Sequence, residues 1–291
     1  MAATAGQWVA GARVRTLPNS IAPVIVGAGA AGAIGAFSWW ASLLALVVSM
    51  ALQVGVNYAN DYSDGIRGTD DARVGPLRLV ASGVASASAV KLAAFLCFGI
   101  AGVAGLVLVA LTGRWWLISV GVVSVAAAWF YTGGPKPYGY AGWGEVAVFA
   151  FFGPVAVLGT LYVQAGEITW PGLAGAVALG SISAGVLVAN NLRDLPTDGT
   201  AGKITMAVRL GDRRTRVLFF VLVALPFVVS VVLSITNAWC LLGLLAAVLV
   251  VPAIRAVGGG GTGMALIPAI RDTSLAMLAW AVLTTVALAL S

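Results

Sequence analysis

The sequence predicts an all-α polytopic membrane protein of about nine spans, and three of its features carry that prediction. Of 291 residues, 60% are apolar and 9% are charged, whereas a water-soluble domain carries about 25% charged residues. So little polar surface does not cover a particle of this size in water. The apolar residues come in runs of roughly 20, the length that crosses a hydrocarbon core as a helix. Finally, 15 of the 16 Lys and Arg residues fall in alternate connections between those runs, the asymmetry that marks cytoplasmic loops.

The runs place spans at 17–37, 41–58, 88–111, 115–131, 145–164, 171–190, 216–235, 238–256 and 272–290. The first is preceded by Arg13 and Arg15. Its length, and the further spans behind it, favour a retained helix over a cleaved signal segment. Connections after odd-numbered spans are short. Those after spans two, four, six and eight are longer and hold the charge: Arg67, Arg73, Arg78 and Lys91; Lys136; Arg193, Lys203, Arg209, Arg213, Arg214 and Arg216; Arg255 and Arg271. Arg114 alone falls on the opposite side. The expected topology has a cytoplasmic N-terminus and an extracytoplasmic C-terminus, in one domain over 1–291. The pI of about 9.7 then reflects loop charge facing anionic lipid, with no nucleic-acid partner implied. Gly27, Gly29 and Gly32 are expected to let helices pack closely, and 258–263 reads as a flexible linker.

There is no histidine, which excludes His-ligated zinc, axial-His haem and a histidine general base. Cys97 and Cys240 each sit inside an apolar run and are expected to be buried free thiols. Chemistry is left to carboxylates, amides, Tyr, Lys, Arg and hard metal ions.

The acidic residues are not scattered. One cluster follows span two: Asn57, Asn60, Asp61 and Asp64, with Asp70 and Asp71 beyond. A second follows span six: Asn190, Asn191, Arg193, Asp194 and Asp198. Asn57, Asp61 and Asp64 are spaced by four and three, and Asn190, Asp194 and Asp198 by four and four, so each set shares a helix face if the helix runs on past the apolar stretch. Pro196 threatens that continuation in the second. Carboxylates near a helix C-terminus oppose the macrodipole, repel one another, and pay more for both at a membrane interface. A compensating cation resolves the conflict. Oxygen ligands without His or Cys suit Mg²⁺, which bridges carboxylates to substrate phosphates. Metal ligands are therefore expected among Asp61, Asp64, Asp194, Asp198, Asn57 and Asn190. Interleaved basic residues, Lys203 and Arg78 foremost, with Arg67, Arg73, Arg193 and Arg209, are expected either to neutralise phosphate oxygens or to serve as ordinary cytoplasmic-face charges.

Three segments carry a resemblance: NYANDYSDGIRGTDDARVGPLRLVASG at 57–83, YTGGPKPYGYAGWGE at 131–145 and NNLRDLPTDGTAGKITMAVRLG at 190–211. The chain resembles the UbiA superfamily of intramembrane aromatic prenyltransferases, most of all its naphthoate-prenylating, menaquinone-pathway branch. It departs from the broad superfamily pattern at Gly68, where an acid is usual; the acids here are Asp70 and Asp71, which leaves open which of them ligates metal. The resemblance implies helices around a central cavity capped by cytoplasmic loops, in the bacterial plasma membrane. It implies Mg²⁺-dependent transfer of a polyprenyl group from polyprenyl diphosphate to 1,4-dihydroxy-2-naphthoate, with loss of diphosphate and CO₂, giving demethylmenaquinol. Asp61, Asp64, Asp194, Asp198, Lys203 and Tyr131 are then the catalytic set. Asn57, Asn60, Arg67, Arg78, Lys136, Tyr138, Asn190, Asn191 and Arg193 are the residues for diphosphate or acceptor. Tyr131, Tyr138 and Tyr140 serve either as faces for an allylic cation or as an interfacial aromatic belt. Other acceptors stay open: 4-hydroxybenzoate, haem, chlorophyllide or a phosphoribosyl sugar. A secondary transporter is the rival class, although acids gathered at one face leave nothing to relay an ion across.

Overall fold

A computed structural model describes residues 3–69 and 77–290; Asp70, Asp71 and Arg73 lie outside them. Every regular element among the described residues is helical. A short α1 (Ala5–Gly11) opens with a reciprocal capping box between Thr4 and Gln7, the arrangement that satisfies first-turn amides. It docks on the next elements through Trp8, whose carbonyl accepts from the Tyr58 hydroxyl at 2.9 Å. Then come α2 (Pro18–Gly32), α3 (Trp39–Arg67), α4 (Ala87–Thr112) and α5 (Leu117–Phe130). The next rod is continuous from Gly144 to Ala165: α6 (Gly144–Ala150), a π-helical stretch (Phe151–Leu158) and α7 (Gly159–Ala165). Pro154 lies within the stretch; it has no N–H for the i−4 carbonyl, and a π-bulge absorbs that loss. α8 (Trp170–Asp198), α9 (Met206–Leu233), α10 (Ala247–Gly258) and α11 (Ile267–Ala289) complete the order, with 3₁₀ turns leading into the last two.

These rods stand where the nine apolar runs predict helices, and seven are long and apolar enough to cross a membrane. The two that are not are α2, with 15 residues, and α5, with 14. At 1.5 Å per residue they reach only about 20–23 Å of a core roughly 30 Å thick. The protein is a multi-pass membrane protein. Large apolar side chains point outward along its rods, among them Leu96, Val103, Leu111, Val217 and Val248, which is the surface a lipid solvent requires. Both cysteines are free.

α8 is the central rod. It packs on α9, on the α6–π rod, on α11 and on α2, while α3 pairs with α4 and α11 with α2. Close approach rests on small residues. A Cβ on Gly27 would lie 2.5 Å from the Val157 carbonyl oxygen, and one on Gly29 would lie 2.7 Å from the Thr285 side chain. At Gly32 the nearest atom would be 3.8 Å away, so only two of the three expected glycines serve contact.

What positions the site is the length of α3 and α8. Both run past the apolar stretch that defines their spans. α3 continues about two and a half turns to Arg67 and stops at Gly68, whose φ of 69° is the left-handed closure a glycine supplies. α8 passes through Pro196 to Asp198. Residues 57–64 on α3 and 190–198 on α8 are therefore helical, and both end against the same cavity.

Candidate functional site

The two helix ends open on one cavity of about 970 Å³. Its rim is polar and its depth apolar. Asn57, Asn60 and Asp64 line it from α3, and Asn190, Asn191, Asp194 and Asp198 from α8; Arg78, Tyr131, Thr132, Tyr138, Tyr140 and Lys203 come from the connections above. Deeper walls are formed by α5 (Ile118, Val122, Val125) and the π-helical stretch (Phe151, Phe152, Val155).

On α3 the structure splits the expected ligand row. Asp64 faces the cavity. One of its carboxylate oxygens accepts from Lys203 Nζ at 3.2 Å; the other accepts a short bond from the Tyr140 hydroxyl. Asp61 turns the other way and is fully buried. Its two oxygens accept from the backbone amides of Leu79 at 2.8 Å and Val80 at 3.0 Å, so it fastens the loop after the first cluster and does not line the cavity. The reason is angular. On a helix of 3.6 residues per turn, Asn57, Asn60 and Asp64 (steps of three and four) form the cavity-facing stripe, and Asp61 lies to one side of it. Asn57 also departs from its expected role. Its Nδ2 donates to Ala12 O at 2.8 Å and Thr16 Oγ1 at 2.9 Å, and its Oδ1 accepts from Gln53 at 3.4 Å. Asn60 Oδ1 accepts from Thr132 Oγ1 at 2.8 Å.

On α8 the expected face survives Pro196, because Asn190, Asp194 and Asp198 all reach the cavity. Asn191 does too, and its Nδ2 donates to the buried Glu145 at 2.9 Å, which fixes the amide and leaves its carbonyl oxygen as the free-facing atom. Arg193 points along the helix surface and grips Asp194 with two bonds of 2.7 Å. It orients a carboxylate and is not itself a cavity wall.

Two basic residues expected at the site lie elsewhere. Arg67 is exposed and donates to the Thr132 and Gly134 carbonyls, so it ties the end of α3 to the 131–143 connection. Lys136 is exposed on that connection and does not line this cavity. Lys203 is held by Asp64 and by the face of Tyr140, 4.9 Å from its ring centre. The loop geometry that delivers it is set by the Lys203 amide donating to Asp198 O at 2.9 Å and the Ile204 amide to Tyr140 O at 3.0 Å. Burial pushes the Tyr138 hydroxyl up to about 12. It raises Tyr140 too, aided by the neighbouring Asp64 charge. Both tyrosines are neutral hydroxyl donors at physiological pH. Tyr138 donates to Ala127 O at 2.8 Å and meets Tyr131 edge-on with ring centres 5.5 Å apart.

The sequence reading passes over Arg13, Asn19, Gln53 and Thr132, all of which line the cavity. Gln53 had a signal: Ser49, Gln53 and Asn57 form a polar stripe at four-residue steps in an otherwise apolar run. Arg13 was visible only as one of many loop charges, and Asn19 and Thr132 had no signal.

The donor set decides what the site can hold. Among the described residues no three acidic side chains gather closely enough to form a metal cage by themselves. The cavity offers three carboxylates and several amide carbonyls from two facing rods, with a lysine and an arginine between them. Such a set suits a hard cation that keeps waters and shares phosphate oxygens, and it fits Mg²⁺.

Fold and site together define a multi-pass membrane protein with an oxygen-lined cavity at one end of its helices. Residues 20–258 match the UbiA prenyltransferase family, and the chain belongs to that family. It is 58% identical over 287 residues to the 1,4-dihydroxy-2-naphthoate octaprenyltransferase of Mycobacterium tuberculosis, covering 99% of this chain and 98% of that one. The enzyme of the same name from Escherichia coli is 38% identical, covering 72% and 70%. Among solved structures, a UbiA homolog from Archaeoglobus fulgidus bound to DMAPP and Mg²⁺ superposes with a TM-score of 0.65 over 96% of this chain and 99% of that one, at 14% identity; this is a likeness of fold.

Proposed function

We propose that the protein transfers a polyprenyl group from polyprenyl diphosphate to 1,4-dihydroxy-2-naphthoate, releasing diphosphate and CO₂, at the cytoplasmic face of a bacterial plasma membrane. The chain acts as one domain over 1–291. The observation that carries this reading is the single cavity into which Asp64 on one rod and Asp194 and Asp198 on another both open. The names of the near-full-length relatives select the naphthoate acceptor.

Asp64, Asp194 and Asp198, with Asn60, Asn190 and Asn191, are the oxygens that would hold Mg²⁺ and through it the diphosphate. Bound there, the metal supplies charge stabilisation to the departing diphosphate. The remaining work falls to the chain itself. Lys203 and Arg78 offer positive charge to diphosphate oxygens as the allylic C–O bond breaks and its electron pair leaves with the phosphate. Tyr140 and Asp64 hold Lys203 in place for that contact. The apolar walls keep water from the allylic cation, which would otherwise be quenched to an alcohol. The faces of Tyr131 and Tyr138 stand near its path. The prenyl tail lies along α5 and the π-helical stretch. The naphthoate ring attacks the prenyl carbon and its carboxylate departs as CO₂, returning the electron pair of the broken C–C bond to the ring. No proton is removed from the attacked carbon, so the site needs no histidine base. Arg13, whose Nη2 is buried at the cavity without a partner, is the cation placed for the acceptor carboxylate.

Purified enzyme supplied with labelled prenyl diphosphate, Mg²⁺ and either 1,4-dihydroxy-2-naphthoate or 4-hydroxybenzoate tests the reading. Prenylated naphthoquinol with release of CO₂ is expected. Product from hydroxybenzoate alone would overturn the acceptor, and no diphosphate release with any acceptor would overturn the enzyme class.

A further inference from the structure

Two side chains that the reaction above does not use face the same cavity. Asn19, in the first turn of α2, and Gln53, midway along α3, are 9% and 8% exposed and both line the cavity. Each has a carbonyl oxygen, Asn19 Oδ1 and Gln53 Oε1, with no hydrogen-bond partner. Buried acceptors are seldom left unmatched, because each then keeps its full desolvation cost.

The wall that carries them is built, not loose. Ser49 Oγ donates to Ser20 O at 2.9 Å, Asn57 Nδ2 ties α3 to Ala12 and Thr16, and Gln53 Nε2 donates to Thr16 Oγ1 at 3.2 Å and Asn57 Oδ1 at 3.4 Å. Those last two bonds commit the Gln53 amide nitrogen and set its oxygen apart from it. Asn19 lies beside Ser20, within the stretch of α2 laced to this part of α3. Gln53 stands eight residues, about 12 Å along the helix, below the level of Asp61, so the pair sits beneath the diphosphate end of the cavity.

The chemistry of the ligands narrows what these oxygens meet. A diphosphate in its metal-bound form offers acceptor oxygens, and a prenyl chain offers only hydrocarbon. Neither has a donor for a carbonyl. An aromatic acceptor with ring hydroxyls does. We infer that Asn19 and Gln53 accept hydrogen bonds from the hydroxyl groups of the aromatic acceptor and orient its ring against the α2–α3 wall. This rests on the naphthoate reading above and extends it to named residues. In 1,4-dihydroxy-2-naphthoate the two ring hydroxyls, para to one another, supply one donor for each carbonyl once the carboxylate is paired with Arg13. An acceptor without the hydroxyl far from the carboxylate leaves one of the two carbonyls unmatched, and that is a basis for discrimination.

The test compares wild-type enzyme with Asn19→Leu and Gln53→Met under steady-state turnover, using farnesyl diphosphate and 1,4-dihydroxy-2-naphthoate, with 1-hydroxy-2-naphthoate as competitive inhibitor. Each variant is expected to raise the acceptor KM about tenfold while leaving the KM for farnesyl diphosphate unchanged, which also shows that the variant is folded. In one of the two variants the inhibitor's binding constant is expected to stay at its wild-type value, because the lost carbonyl has no hydroxyl to meet. Wild-type acceptor KM in both variants would overturn the inference, as would an equal loss for both naphthoates in both variants. Absence of dihydroxynaphthoate turnover by the wild-type enzyme is a different result, and it would fell the functional reading instead.

Discussion

The ends of α3 and α8 look alike in sequence and behave differently in space. Both present asparagine and aspartate at helical spacing just past the apolar stretch of a long rod. On α8 the expected face stays whole, and Asn190, Asp194 and Asp198 all look into the cavity. On α3 the two aspartates part company: Asp64 looks inward to Lys203 and Tyr140, and Asp61 looks outward to the amides of Leu79 and Val80. On α3 the consecutive Asn60 and Asp61 stand about 100° apart; Asn60 takes the cavity side with Asn57 and Asp64, and Asp61, on the other flank of that stripe, is taken up by the loop amides. Like motifs therefore need not present equal numbers of carboxylates to the cavity.

That contrast can be broken by substitution, and the largest effect is expected at the carboxylates that face inward. Asp64→Ala and Asp194→Ala should each lower kcat by about a thousandfold or more, the scale on which preorganised charge acts, with insertion into the membrane unchanged as judged by yield and thermal unfolding. Retention of a tenth of the activity in either would remove the shared-site argument. Next comes Lys203→Met, which leaves Asp64 without its ion pair to the lysine and removes one of the two cations proposed for the diphosphate. We expect the prenyl diphosphate KM to rise tens of times with a smaller loss in kcat; an unchanged donor KM would move the phosphate contact elsewhere. Lys136→Ala should change neither constant by more than about twofold, since the residue is exposed and stands outside the lining of the cavity. A strong effect there would bring the 131–143 connection down onto the substrate.

The tyrosines give a pH prediction with a definite sign. Tyr138 has its folded-state value raised to about 12 from an ordinary value near 10. Its hydrogen bond to Ala127 is fully present below about pH 10 and is lost only as pH rises through about 12. Any fall in activity between pH 8 and 10 should therefore persist unchanged in Tyr138→Phe. A limb that vanishes in that variant would show that the phenol ionises earlier.

Much of this was readable from the residues alone. Apolar run lengths and the one-sided placement of Lys and Arg gave the order of the rods, and the absence of histidine confined the chemistry to oxygen ligands. Oxygen-rich clusters at the ends of spans two and six pointed to the cavity that the structure builds. What the one-dimensional pattern does not carry is azimuth and long-range partnership. Nothing local distinguishes Asp61 from Asp64, because the difference is made by the loop amides 18 and 19 residues away. Arg67 and Lys136 stay candidates behind Lys203 until the fold delivers Lys203 across 139 residues of chain to Asp64. The polar stripe through Gln53 was present in the sequence but reads as ordinary helix packing until its oxygen is seen without a partner. The π-helical stretch follows from Pro154 only in hindsight, since a proline in a membrane rod can also kink it.

The division of labour on α3 is tested most directly by the Mg²⁺ dependence of diphosphate release in Asp61→Asn and Asp64→Asn. Asp61→Asn keeps a carbonyl for the loop amides and should release diphosphate with the wild-type Mg²⁺ requirement, at a rate reduced no more than about tenfold. Asp64→Asn should release almost none at any Mg²⁺ concentration. The reverse pattern, with Asp64→Asn titrating like wild type and Asp61→Asn silent, would contradict the account.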